Sequence, residues 1–235
     1  MMVNVRPGES GNIRVVAGSW WEQDHGQGDL AVYLNRPEPG QVLTIGDLCA
    51  GLSEADERML VAVHEVGHVA AIHGLGLDFG GTQIYPKDPE AIGTQGIVTQ
   101  LGRTEFLEPA AVSAVQSATV SLSAWMAAEL WLSVEGKESQ FHSWFVQSHA
   151  AHDHHVLLNR PTSELAAFLY GVAVAPRGWD GAVLSVDALT EQVRGALQSR
   201  WDELRALAEI VDTDGSADHE QIMESLGEPG WIGWA

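Results

Sequence analysis

The chain has 235 residues, room for one generous domain or two small ones with a real hydrophobic core. Twelve Lys and Arg stand against thirty-two Asp and Glu, a formal charge of −20 that argues against nucleic-acid phosphates or anionic lipid as partners. Hydrophobic content of 45% with nine Trp excludes a disordered polymer, and the single Cys49 excludes a disulfide framework or a cysteine-rich zinc module and fits a reducing, cytoplasmic setting.

The first fifty residues read as β-rich and turn-rich. The start, MMVNVRPGESGN, carries one Arg and no apolar core, so it does not read as a secretory signal. Ile13 to Val16, Leu30 to Leu34 and Val42 to Ile45 are short strand candidates punctuated by Gly and Pro. A helix comes next. Ser53 with Asp56 three residues on resembles a capping box with Asp in place of Glu, acids fill the first turn, and Gly74 is a natural stop. Gly81 to Pro89 and Gly96 to Leu101 then read as short strands around a proline turn.

Helices are expected at about 110–134, 147–159 and 163–174, with a long amphipathic one over 186–211 and a short one over 218–226. The final stretch, EPGWIGWA, has no periodicity. From Pro109 to Ala128 twenty residues carry no formal charge, long enough to span a bilayer. Four Ser, a Thr and a Gln dilute that run, Glu129 ends it, and no basic cluster flanks it, so a buried helix is the better reading. The expected fold class is therefore α+β, mainly α, with a small β portion and no membrane segment.

Chemistry concentrates at Val63-His64-Glu65-Val66-Gly67-His68, an H-E-x-x-H sequence within the first helix. His64 and His68 lie one turn apart on one face, so both imidazoles reach a single metal ion. Glu65 sits about 100° around the helix, beside such an ion rather than on it, where a carboxylate serves as general base and then general acid. A catalytic zinc needs a third protein ligand and an open fourth position. The metzincin spacing places its third histidine ten residues after the first, where this chain has Gly74, so that class is disfavoured. Downstream acids remain: Glu90, Glu105, Glu108, Glu129 and Asp153. Asp153 lies within a predicted helix, SHAAHDHHVLL, and Glu129 is an acid on an otherwise apolar helix that needs a partner or a metal.

Several features in order resemble the zinc peptidase domain of the FtsH-type membrane-bound AAA proteases. Ala62 to His68 matches that family's A-x-H-E-x-G-H helix; Ile84-Tyr85-Pro86-Lys87, Ile92-Gly93-Thr94 and Ala127-Ala128-Glu129-Leu130 are similar to later segments. Ser148 to Asp153 is similar to the segment bearing the family's third ligand, with His149 in place of a small glycine, and residues 200–226 are similar to its closing helices. The resemblance implies a zincin-like helical peptidase domain over 53–228, after a β/turn-rich extension (1–52) and before a tail (229–235). It implies Zn²⁺ held by His64, His68 and Asp153, with Glu65 catalytic; Glu129 and His149 are expected from their own placement as supporting residues or alternative ligands. His149, one turn before Asp153, is placed to orient it.

No G-K-S or G-K-T occurs, so the ATPase motor of that family is missing here. The expected activity is hydrolysis of peptide bonds in unfolded or flexible polypeptides, with a homo-oligomer, a separate unfoldase or a dedicated partner protein as expected associates. Gln83 to Tyr85 or Gly96 to Gln100 is expected to pair with an extended peptide. Two alternatives share the site: a catalytically silent binding or regulatory protein with a structural metal, and a zinc amidohydrolase with a non-protein substrate. For His142, His152, His154 and His155 a solvated polar face is the expected role.

Overall fold

The computed structural model describes residues 2–3, 12–15, 21–24, 30–33, 49–85, 102–107, 114–150, 153 and 186–232. Near the start, β1 (Met2–Val3), β2 (Asn12–Val15), β3 (Trp21–Asp24) and β4 (Leu30–Tyr33) form an antiparallel meander in sequential order. Strands β2 and β4 match expected ones. Strand β3 has no such sequence signal, because WEQD carries no alternation of apolar residues, and Val42 to Ile45 lies outside the described residues.

The architecture is α+β and mainly α. Its axis is α1 (Glu54–Gly74), begun by a capping box in which Ser53 Oγ accepts from the Asp56 amide at 3.2 Å and Asp56 Oδ2 accepts from the Ser53 amide at 2.9 Å. From Leu60 to Gly74 nearly every residue is buried, which is the signature of a central helix rather than an amphipathic surface one. Helix α1 packs against α2 (Ala114–Val134), α5 (Trp201–Asp214), β5 (Phe79–Ile84) and β6 (Gly102–Phe106).

The crossing of α1 and α2 depends on small residues. A Cβ at Gly67 would lie 2.7 Å from both the Ala124 Cα and the Ser123 carbonyl oxygen, and 2.9 Å from the Ala127 Cβ. The described part of the uncharged run, from 114 to 128, is thus explained by contact: Ala118, Leu122, Ala124, Trp125, Met126, Ala127 and Ala128 are all buried within the protein. Among the described residues no helix is long and apolar enough to cross a membrane.

A second sheet has the order β6-β5-β7, all antiparallel, with β7 at Ser216–Asp218. The strand expected at Gly96 to Leu101 lies outside the described residues; β6 begins just after it, at Gly102. Helix α3 runs from Gln140 to His149, seven residues ahead of the expected 147–159 start, and residue 153 is again helical. The acid-poor, aromatic stretch QFHSWFV hides this start, whereas Ser139 Oγ caps it by accepting from the His142 amide. The helix expected at 163–174 falls outside the described residues.

The long helix expected over 186–211 is two helices, α4 (Val186–Ser199) and α5. Arg200 breaks them, with φ −125° and ψ 19°, and its guanidinium donates to the Leu226 carbonyl at 2.7 Å and lies over the Trp231 ring. The stripe Leu189, Val193, Leu197, Leu204, Ala208 and Val211 is buried on both sides of the break, so apolar spacing alone does not reveal it. Gly215 ends α5 at φ +82°, and α6 (His219–Leu226) starts from an Asp218–Gln221 capping box.

The aperiodic tail is docked on the end of α1. Gly230 N donates to the His73 carbonyl at 3.0 Å and Ile232 N to the Gly74 carbonyl at 2.7 Å, satisfying terminal carbonyls of the helix. Gly74 is needed for this approach, since a Cβ there would meet Ile232 side-chain carbons at 2.6 and 2.7 Å; the left-handed turn residue is Gly76, at φ +68°. His73, fully buried, accepts at Nδ1 from Trp231 Nε1 (3.0 Å) and donates from Nε2 to the Gly227 carbonyl (3.0 Å). Indole N–H only donates, so the imidazole is the neutral Nε2–H form.

Both the crossing and the docked tail have measurable consequences. Gly67→Ala forces α1 and α2 apart and lowers unfolding free energy by about 1–3 kcal/mol in chemical denaturation. Burial, helped by the Arg200 and His219 charges and opposed by the Gly227 bond, holds His73 below its ordinary pKa of 6.5. The unfolded chain then takes up the proton first, so this stabilisation is complete above pH 6.5 and is lost as pH falls below it. Hydrogen exchange at the Gly230 and Ile232 amides, corrected for intrinsic rates, should speed up from pH 7 to pH 5.

Candidate metal centre

His64 and His68 project from the same face of α1, with ring centroids 5.0 Å apart and planes at 90°. Asp153 meets them there. Its Oδ2 lies 3.2 Å from His64 Nε2 and 3.4 Å from His68 Nε2. One donor atom from each of the three residues lies within 4.8 Å of the other two, and this group could hold a metal ion. Donors about 2.0–2.1 Å from a tetrahedral zinc stand about 3.3–3.4 Å from one another, so the two measured separations fit that geometry.

The second nitrogen of His68 fixes its orientation. Its Nδ1 donates to the Val120 carbonyl of α2 at 2.9 Å, leaving Nε2 as the atom directed at Asp153. His64 Nδ1 is buried with no hydrogen-bond partner among the described residues. Beside it, Leu60, Ala128, Phe145, Val146 and His149 line a small apolar hollow between α1, α2 and α3.

Electrostatics bind the pair tightly. Burial opposes ionisation of Asp153, but the His68 charge and hydrogen bonds from both histidines outweigh it and hold the carboxyl well below the usual range. Burial likewise disfavours the His68 imidazolium, yet the Asp153 and Glu65 charges and the Val120 carbonyl push its pKa up to about 9.

Glu65, 6% exposed, faces β6 from α1. Thr104 Oγ1 lies 2.8 Å from Glu65 Oε2 and 3.1 Å from the Glu65 carbonyl, and Thr82 Oγ1 lies 3.0 Å from Thr104 Oγ1. At Gly102 a Cβ would sit 2.5 Å from Glu65 Cγ and 2.6 Å from its Oε1.

The other expected acids part company here. Among the described residues Glu129 is not in the metal-capable group; Ser143 donates to its Oε1, with Trp125, Gln147 and Arg194 also acting on it. Burial pushes its carboxyl up against those partners, so the need for a polar partner on an apolar helix is met by α3 and α4. The carboxylate of Glu105 lies against Gly80 of β5, while Glu90 and Glu108 are outside the described residues. His149 Nδ1 bonds the Phe145 carbonyl at 3.1 Å, and its ring packs on Phe145 at 4.4 Å. His142 bonds the carbonyls of Lys137 and Ala50, and His152, His154 and His155 lie outside the described residues. Sequence reasoning does not find Val120, Gly102 or Thr104: the first acts through its backbone, and the others sit on a strand that is not expected there.

No family model and no curated protein matches this chain. The residues themselves therefore carry the functional reading.

Metal binding must displace the His68 proton, since only neutral imidazole coordinates. Affinity of this group for a divalent metal ion should rise about tenfold per pH unit from His68 alone and level off above pH 9. Calorimetric titrations in buffers of different ionisation enthalpy count the released proton.

Proposed function

We propose that the chain is a zinc-dependent metalloendopeptidase whose peptidase domain spans about 53–228 and which acts without ATP on unfolded or flexible polypeptides. The observation that carries this reading is the meeting of His64 and His68 of α1 with Asp153, far along the chain, with its Oδ2 at 3.2 and 3.4 Å from the two imidazole nitrogens and Glu65 beside them. Two imidazoles and one carboxylate are the donor set of a catalytic zinc, which leaves a fourth position open. Bound there, zinc supplies Lewis acidity to a water molecule and to the scissile carbonyl.

The chain's own residues do the rest. Asp153 offsets the positive charge of the ion, and the Val120 carbonyl keeps His68 in its coordinating form. Glu65 takes a proton on its carboxylate and returns it to the departing amine. Its neighbour β6 has one strand partner among the described residues, so its other side suits an extended peptide held by backbone hydrogen bonds. Gln83, a peptide-pairing position on sequence grounds, is paired on both sides, with Arg103 and with Ser216, and is not available. The motif order shared with FtsH-type peptidase domains supports the same reading.

Metal analysis and cleavage of a denatured, fluorescently labelled protein test it. Glu65→Gln should keep stoichiometric zinc and lose about 10²–10⁴-fold in kcat. Asp153→Ala should lose the zinc, whereas Glu129→Ala should retain it. Zinc binding without any hydrolysis would sink the peptidase reading in favour of a silent scaffold. Hydrolysis confined to non-peptide amides would favour an amidohydrolase.

A further inference from the structure

We infer that strand β6 is the seat of the Glu65 carboxylate, with Gly102 and Thr104 as positioning residues; this rests on the peptidase reading for its catalytic meaning but not for its geometry. Gly102 and Thr104 are two apart on the strand and so share a face, the one turned to α1. At Thr104 the face presents a hydroxyl to Oε2. At Gly102 it presents a notch: the space a Cβ would take is filled by the Glu65 side chain, including Oε1.

An ionised carboxylate only accepts, so the Thr104 hydroxyl at 2.8 Å is the donor to Oε2, with the Glu65 carbonyl at 3.1 Å as a second acceptor. Thr82 and Thr104 are direct cross-strand partners on β5 and β6, with their oxygens 3.0 Å apart and Thr82 only 3% exposed. When the Thr82 hydroxyl donates to Thr104, the Thr104 proton is committed to Glu65, giving a chain Thr82→Thr104→Glu65. A Glu side chain otherwise moves about three torsions, and a base misplaced by an ångström forfeits much of its rate. The seat removes that freedom. It also joins the sheet to the metal-bearing helix at the one acidic residue between the two histidines.

The test uses the full chain with Thr104→Val, which keeps shape and removes the hydroxyl, together with Thr104→Ser and Gly102→Ala. Thr104→Val and Gly102→Ala should each lower kcat about ten- to a hundredfold, with KM within about twofold of the parent and zinc affinity unchanged. Thr104→Ser should restore kcat. Independently of activity, Thr104→Val should lower Tm by about 3–10 °C in the parent chain and by less in the Glu65→Ala background, where the carboxylate bond is already gone and only the bonds to the residue-65 carbonyl and to Thr82 remain to be lost. Parental kcat in Thr104→Val, or an equal loss of Tm in both backgrounds, overturns the seat. Should the parent cleave nothing, the peptidase reading fails, and the pair of Tm differences still decides whether β6 holds Glu65.

Discussion

The close crossing of α1 over α2 at Gly67 governs both the packing of this molecule and the aim of its histidines. Two helices whose backbones nearly touch cannot accommodate a side chain between them, and the residues at the contact, Gly67, Ser123, Ala124 and Ala127, are correspondingly small. The same crossing brings the Val120 carbonyl to His68, one residue after the glycine. A wider spacing would fill the gap with aliphatic carbon and would leave the imidazole without its anchor. The packing distance between two helices is thus also what determines the orientation of a prospective ligand.

Placing ionisable groups in so apolar a helix carries an electrostatic cost. His64, Glu65 and His73 are all buried in α1, among Val63, Val66, Val69, Ala70 and Ile72. Each meets a different solution. His64 and His68 share Asp153, Glu65 receives the Thr104 hydroxyl, and His73 stays neutral between an indole N–H and a carbonyl. An unpaired charge at any of these places costs several kcal/mol, so the helix tolerates its polar residues only because β6, α2 and the C-terminal segment each bring a partner. Helix α1 is stable as an assembled element rather than as an isolated one.

Much of this is legible in the residues. The Ser53–Asp56 box, the extent of α1 and the burial of the described part of the uncharged run come from spacing and chemistry, whereas the choice of Asp153 among five downstream acids comes from the family resemblance. Local signals fail where long-range contact decides the outcome. The break at Arg200 is invisible to a stripe that continues across it, and β6 begins after the more obviously β-like GIVTQL. Glu129 looks like a ligand because a lone acid on an apolar helix demands a partner; which partner it finds depends on where α3 and α4 pack. Backbone atoms such as the Val120 carbonyl carry no residue-specific signal at all.

The docking of Trp231 on His73 joins positions 158 apart in the chain, and Gly227 and Asp212 reach back 154 residues to His73 and Arg58. Such closures raise contact order, and loops of that length must be closed before their contacts contribute any stability. The end of the motif-bearing helix is thus finished by residues at the far end of the chain, since Gly230 and Ile232 bond the His73 and Gly74 carbonyls and Trp231 holds the His73 ring. A change in that distant segment reaches the end of the histidine-bearing helix without touching the motif itself.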